Sequence, residues 1–125
     1  MPQLIKKGMA TVFVSDVSRA VKFYSEVLGM RVKSHWSEEF AEVEMPGLII
    51  GLHPATKHGP KPGSSGSISI GLEVDDLDSS MHQLKEKGVS FQGAVTEDGP
   101  VRLAFFGDPD GNALYLSQAK KGMWG

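Results

Sequence analysis

The chain states one pattern twice, and that repetition limits what it can fold into. "VSDVSRAVKFYSEVLGMRV" starts at Val14 and "VDDLDSSMHQLKEKGVSF" at Val74. Laid together, Val14 meets Val74, Asp16 meets Asp76, Val17 meets Leu77 and, after a one-residue gap, Gly29 meets Gly88. Farther on, "GLIIGLHPA" from Gly47 matches "GNALYLSQA" from Gly111, with Ile50 on Leu114, Leu52 on Leu116 and Ala55 on Ala119. The common order and near-equal offsets argue for two copies of one unit. At 125 residues the chain has the size of one domain, so the copies are halves of a single fold.

Each unit reads as a strand, a helix and three strands, an α+β arrangement. "ATVFV" is β-branched and aromatic, hence strand. Asp16 is placed to cap the helix that follows, its carboxylate accepting from a first-turn N–H. Val17, Ala20, Val21, Tyr24, Val27 and Leu28 repeat at helical spacing, and Gly29 supplies the left-handed stop. Asp76, Leu77, Met81, Leu84 and Gly88 do the same in the second unit. Strands are expected at 31–36, 40–45 and 48–53, and at 90–95, 101–106 and 113–117. The units span about 8–53 and 67–117, with a tail at 118–125. Between them "PATKHGPKPGSSG", residues 54–66, has linker composition. It reads first as a connector and second as cover for a site.

Side chains alternate across a strand, so parity sorts them. Ala10, Val12 and Val14, Ile50 and Leu52, Ile68, Ile70, Leu72 and Val74, and Leu114 and Leu116 fall on helix-bearing faces. Met9, Thr11, Phe13, Ile49, Gly51 and His53 fall on the opposite face of the first unit. Ser69, Gly71, Glu73, Ala113, Tyr115 and Ser117 fall on the opposite face of the second. A curved sheet whose open face mixes small, aromatic and ionisable residues suits a small ligand, though it equally suits solvent or a second chain. Glu42 and Glu44 share a strand face with Phe40 and read as a solvated face before an acid–base pair. Turned inward with Glu73, they would favour a cationic or hydroxyl-rich ligand, with Arg102 as counter-charge. His53 reads as a strand-end histidine bonding a loop carbonyl ahead of a ligand-binding role.

Composition removes several classes of function. A net charge of -2 and the lack of a basic, aromatic-interleaved run give no case for nucleic acid. With no cysteine there is no disulfide, thiolate metal site or Cys nucleophile, which fits a reducing cytoplasm. "MPQLIKKGMATVFV" carries no long apolar run after its lysines, unlike a signal peptide, and no segment approaches a membrane span. No nucleophile elbow, P-loop or dinucleotide fingerprint is present.

"VSDVSRAVKFYSEVLGM", "LEVDDLDSSMHQLKEKGV" and "FFGDPDGNALYL" together resemble the vicinal oxygen chelate superfamily, over about Lys7 to Ser117. That group includes glyoxalase I, extradiol dioxygenases, fosfomycin resistance enzymes and bleomycin-binding resistance proteins. The resemblance implies two βαβββ units forming a partly open, barrel-like cup, and commonly a dimer. In metal-using members His or Glu ligands come from four strand positions, which fall here on Met9, Ser69, Gly51 and Tyr115. Gly51 has no side chain, a thioether suits soft ions, a serine hydroxyl is a weak donor and a tyrosine ligates as phenolate. No metal or other cofactor is expected there, because a catalytic ion wants three protein ligands and an open position.

The expected function is therefore metal-free small-molecule binding in a cytoplasmic homodimer, resembling antibiotic-sequestering resistance proteins, with no nucleic-acid or membrane partner. Met9, Phe13, Trp36, Phe40 and Tyr115 would give apolar and aromatic contact to a cationic or aromatic ligand. Thr11, His53, Ser69, Glu73 and Arg102 would orient it. Gly51 is expected to leave room for the Tyr115 ring or for a ligand beside it. The rival is a glyoxalase-type lyase or dioxygenase with a metal displaced to His53 and Glu73. An interaction module closing on another protein chain is a third reading.

Overall fold

The computed structural model describes residues 4–36, 39–64 and 66–120, with Trp36 described by its backbone alone. The elements are β1 (Ala10–Val14), α1 (Val17–Lys22), β2 (Arg31–Trp36), β3 (Phe40–Met45) and β4 (Leu48–Pro54). They are followed by β5 (Ile70–Glu73), α2 (Leu77–Glu86), β6 (Phe91–Asp98), β7 (Val101–Gly107) and β8 (Ala113–Ala119). The strands make two mixed sheets of four, ordered β1-β4-β3-β2 and β5-β8-β7-β6. The chain divides into compact units at residues 1–62 and 63–125.

The repeat extends to the strand register. In each sheet the first strand runs parallel to the last, placing Thr11 opposite Gly51 and Gly71 opposite Tyr115. Both β2–β3 and β6–β7 carry a register shift, between Val32 and Ser34 in one and Gln92 and Thr96 in the other. Asp16 caps α1 by accepting from the Arg19 N–H at 2.9 Å, and Asp76 caps α2 by accepting from the Ser79 N–H at 3.0 Å. Gly29 and Gly88 take φ of 79° and 95° just past the helical segments, where a side chain would be strained.

Parity is correct for the core. In the first unit Val12, Val14, Ala41, Val43, Ile50 and Leu52 are buried, as are Val17, Ala20, Val21 and Tyr24 from the helical side. In the second, Leu72, Ala104, Phe106, Leu114 and Leu116 are buried with Leu77 and Val89. Each large apolar side chain so buried contributes about 1.5–3 kcal/mol before the entropy of ordering is subtracted.

The structure departs from the sequence reading in three places. The first helix is α-helical only to Lys22 and continues as a π-helical turn over Phe23–Val27. Ser25 there donates its hydroxyl to the Val21 carbonyl at 2.6 Å, competing with the regular ladder. Strand β5 begins at Ile70, so Ile68 lies outside the sheet and is 68% exposed rather than under the helix. Strand β8 runs on to Ala119, where a tail was expected, and the Lys120 N–H donates to the Pro100 carbonyl.

Candidate functional site

The open face of the first sheet assembles in rows. Thr11 of β1 lies opposite Gly51 of β4, Gly51 opposite Glu42 of β3, and Glu42 opposite Ser34 of β2. In the next row Phe13 lies opposite His53, and Trp36 pairs with Phe40 through the backbone. The His53 ring sits 5.3 Å from Phe13 and 6.2 Å from Phe40. Its Nδ1 donates to the Pro54 carbonyl at 2.8 Å, since the carbonyl can only accept. The bond lies at the strand end, as expected, but its acceptor is the last residue of β4 rather than a loop carbonyl. Met9 precedes β1 and is 43% exposed.

The space at Gly51 is already occupied. A side-chain carbon there would come within 2.8 Å of Met9 Cε, 3.2 Å of Thr11 Oγ1 and 3.3 Å of Phe40 Cε1. Its missing side chain makes room for Met9, Thr11 and Phe40. Near one end of this face a cavity of about 180 Å³ is lined by Lys7, Gly8, Met9, Lys33, Glu42 and Ile49. Lys7 and Lys33 were not among the expected site residues.

On the second sheet Tyr115 stands between Gly71 of β5 and Phe105 of β7. Its ring lies across Gly71, where an added side-chain carbon would collide with it, and 5.8 Å from the Phe105 ring. Glu73 lies opposite Ser117 and is exposed. Ser69 is exposed, ahead of the strand.

Arg102 is a correction. It pairs with Gln118 and shares the helix-bearing side of β7 with Ala104 and Phe106. There it bonds Glu97 at 3.2 Å and Asp78 of α2 at 3.5 Å, so it does not orient a ligand on the open face. Burial pushes its guanidinium pKa down, but Asp78 and Glu97 more than offset this and the net shift is upward. Glu97 accepts from Lys120 at 3.1 Å. That bond, helped by Arg102 and opposed by desolvation, holds its pKa below the ordinary carboxylate value.

The charge of the open face also differs from expectation. Glu42 and Glu44 do lie on it, but Glu44 is ion-paired with Arg31 and Glu42 Oε1 accepts from Ser34 Oγ at 3.1 Å. Among the described residues no three His, Asp or Glu side chains form a group able to hold a metal ion. No helix among them is long and apolar enough to cross a membrane.

Residues 7–116 match the family model described as "Glyoxalase/Bleomycin resistance protein/Dioxygenase superfamily". The chain belongs to this superfamily. Among its relatives is "Uncharacterized protein YurT" of Bacillus subtilis (strain 168), 31% identical over 91% of this chain and 99% of that protein. A lactoylglutathione lyase of Salmonella typhimurium (strain LT2) is 30% identical, covering 86% of this chain and 87% of the lyase. The crystal structure of TnmS3, an antibiotic binding protein from Streptomyces sp. CB03234, is similar with a TM-score of 0.75 and 27% identity. It covers 95% of this chain and all of that one.

The residues present do not fit the metal that other members of the superfamily hold. At the matching positions Met9 offers a thioether whose methyl group covers Gly51, and Gly51 offers nothing. Ser69 offers a neutral hydroxyl, and the Tyr115 ring is laid on Gly71. Packing, and not only side-chain chemistry, has taken over the Gly51 and Tyr115 positions.

Proposed function

We propose that this chain is a small-molecule binding protein that works without a metal at the family positions. The observation that carries this is the packing of Met9 over Gly51 and of Tyr115 over Gly71, where metal-using relatives need donors. Phe13, Phe40 and His53 form an aromatic group on one open face, and Tyr115 and Phe105 on the other, surfaces suited to flat or apolar ligands. The likeness to TnmS3, described as an antibiotic binding protein, supports the same reading. By family analogy we place it in the cytoplasm as a homodimer, which light scattering tests.

The likeness to a lactoylglutathione lyase favours a second reading, a lyase or dioxygenase with a metal displaced to His53 and Glu73. His53 Nε2 and one carboxylate make a thin donor set for such an ion. Two measurements separate the readings. Elemental analysis of the purified chain should find no stoichiometric Zn, Ni, Mn or Fe. A thermal-shift screen in the presence of EDTA should still find ligands, weakened by Phe13→Ala or Phe40→Ala. One metal ion per chain, lost on changing His53 or Glu73, would establish the lyase or dioxygenase reading instead.

A further inference from the structure

We propose that the cavity on the first sheet is a subsite for a small organic acid. Its carboxylate would lie between Lys7 and Lys33, and its apolar body would rest on Met9 and Ile49. The proposal rests on the reading of the chain as a metal-free binder and adds the charge and size of what it binds.

Size comes first. The cavity's volume of about 180 Å³ lies below the roughly 300–1,000 Å³ of pockets that enclose drug-sized molecules. It lies slightly above the roughly 150 Å³ that admits a benzene ring in a protein interior. A single ring or a short branched chain with one polar group therefore fits. Met9, Ile49 and the methylene stems of the two lysines give the apolar wall such a body needs.

Charge comes second. Two lysines and one glutamate line the cavity, leaving a formal excess of one positive charge among its lining residues. Glu42 already accepts from Ser34, and the nearby acid Glu44 is neutralised by Arg31. Among the described residues neither Lys7 nor Lys33 has an ion-pair partner. The lining is thus short of an anion and not of a cation, the reverse of what Glu42, Glu44 and Glu73 suggest in the sequence.

The backbone places Lys33 there. Val32 pairs with Val43 and Ser34 with Glu42, so one residue is inserted at Lys33. Regular alternation would send Ser34 to the helix side. The bulge instead puts Lys33 and Ser34 together on the face that carries Glu42. Bulges re-aim side chains in this way at sheet edges, and β2 is an edge strand.

The test is titration of the isotope-labelled full chain, followed by amide chemical shifts. Four probes are used: benzoate, its neutral isostere benzamide, benzylammonium and inorganic phosphate. Benzoate should give saturable shifts at Gly8, Lys33 and Glu42, weakened by added salt, whereas benzylammonium should give none there. Lys7→Gln and Lys33→Gln should each lower benzoate affinity by about twofold to fivefold, the range of exposed ion pairs. Lys57→Gln, an exposed lysine outside the cavity, should not. Absence of benzoate shifts, equal binding of benzylammonium, or unchanged affinity in both cavity variants would overturn the proposal. Phosphate binding as tightly as benzoate would also do so, because the apolar wall would then contribute nothing. Metal-free binding of other compounds alongside any of these results would leave the broader reading standing, whereas metal-dependent binding would remove it.

Discussion

Tyr115 lays its ring across Gly71, its register partner on the adjacent parallel strand, and the two positions are usable only together. An aromatic ring beside a strand glycine covers backbone that would otherwise be bare. Gly71→Ala should cost about 1–3 kcal/mol, because the new methyl group meets the ring and the ring must move. With Tyr115→Ala already in place, the same change should be near neutral, since alanine is the better strand residue once the collision is gone. Tyr115→Ala alone should cost less than the roughly 3–5 kcal/mol of a fully buried aromatic, as Tyr115 is only half-buried. Urea unfolding of the four proteins gives the coupling directly. Additive costs would mean that the ring does not rest on Gly71 in solution.

His53 holds its ring between Phe13 and Phe40 and donates from Nδ1 to the Pro54 carbonyl. His53→Phe keeps the aromatic group and loses the donor, so it should cost about 0.5–1.5 kcal/mol, the usual net worth of one hydrogen bond. His53→Ala should cost more, because the ring contacts go as well. Thermal or urea unfolding ranks the two. A neutral His53→Ala would show that the ring is not packed, and would return it to the list of free ligand donors.

How much of this could be read from the sequence depends on how regular each element is. The repeat and the two-residue period gave the core faces correctly, because Val12, Val14, Ile50, Leu52, Leu114 and Leu116 alternate without interruption. Lys33 was passed over although alternation from Val32 already turns it to the open face; what no periodicity encodes is the bulge that brings Ser34 beside it. Lys7 precedes β1 and has no parity to read. Arg102 was misplaced because "VRLAFF" is apolar on both sides. Its alternation does not say that Ala104 and Phe106 face the helix and Leu103 and Phe105 do not. The filling of Gly51 by Met9, Thr11 and Phe40 is a packing result that a glycine in a sequence does not announce.

The turn "GDPDGN" makes its own prediction. Asp108 is buried and its carboxylate accepts from the Asp110 and Asn112 N–H groups and from Asn112 Nδ2, each at 2.9 Å. Asn112 Oδ1 in turn accepts from the Gly63 N–H at 2.8 Å. Asp108→Ala leaves these donors unpaired and should cost about 2–3 kcal/mol, the range for hydrogen bonds to a charged group. Asp108→Asn keeps one acceptor oxygen and should cost about half as much. Equal losses in urea unfolding would mean that the charge, and not the count of acceptors, holds the turn.

The ion-pair group of Glu97, Arg102, Lys120 and Asp78 makes stability depend on pH in a stated direction. The Glu97 carboxyl lies below its ordinary value of 4.5, held there first by the Lys120 hydrogen bond and then by Arg102, against the opposing effect of desolvation. A depressed folded-state pKa means that the unfolded chain takes up this proton first. The stabilisation is therefore fully present above the unfolded value, and is lost as pH falls through the folded one. Arg102 keeps its charge throughout, its own pKa being raised by Asp78 and Glu97 against burial. Glu97→Gln should thus lower the urea midpoint by a constant amount near neutral pH. The gap to the parent should narrow as pH drops below about 4.5, where the unfolded parent begins to take up a proton that the folded one still resists. Added salt should also narrow it at neutral pH, because the group is solvent-exposed. A gap that stays constant down to acid pH, or widens there, would show that Glu97 is held by contacts other than its charge.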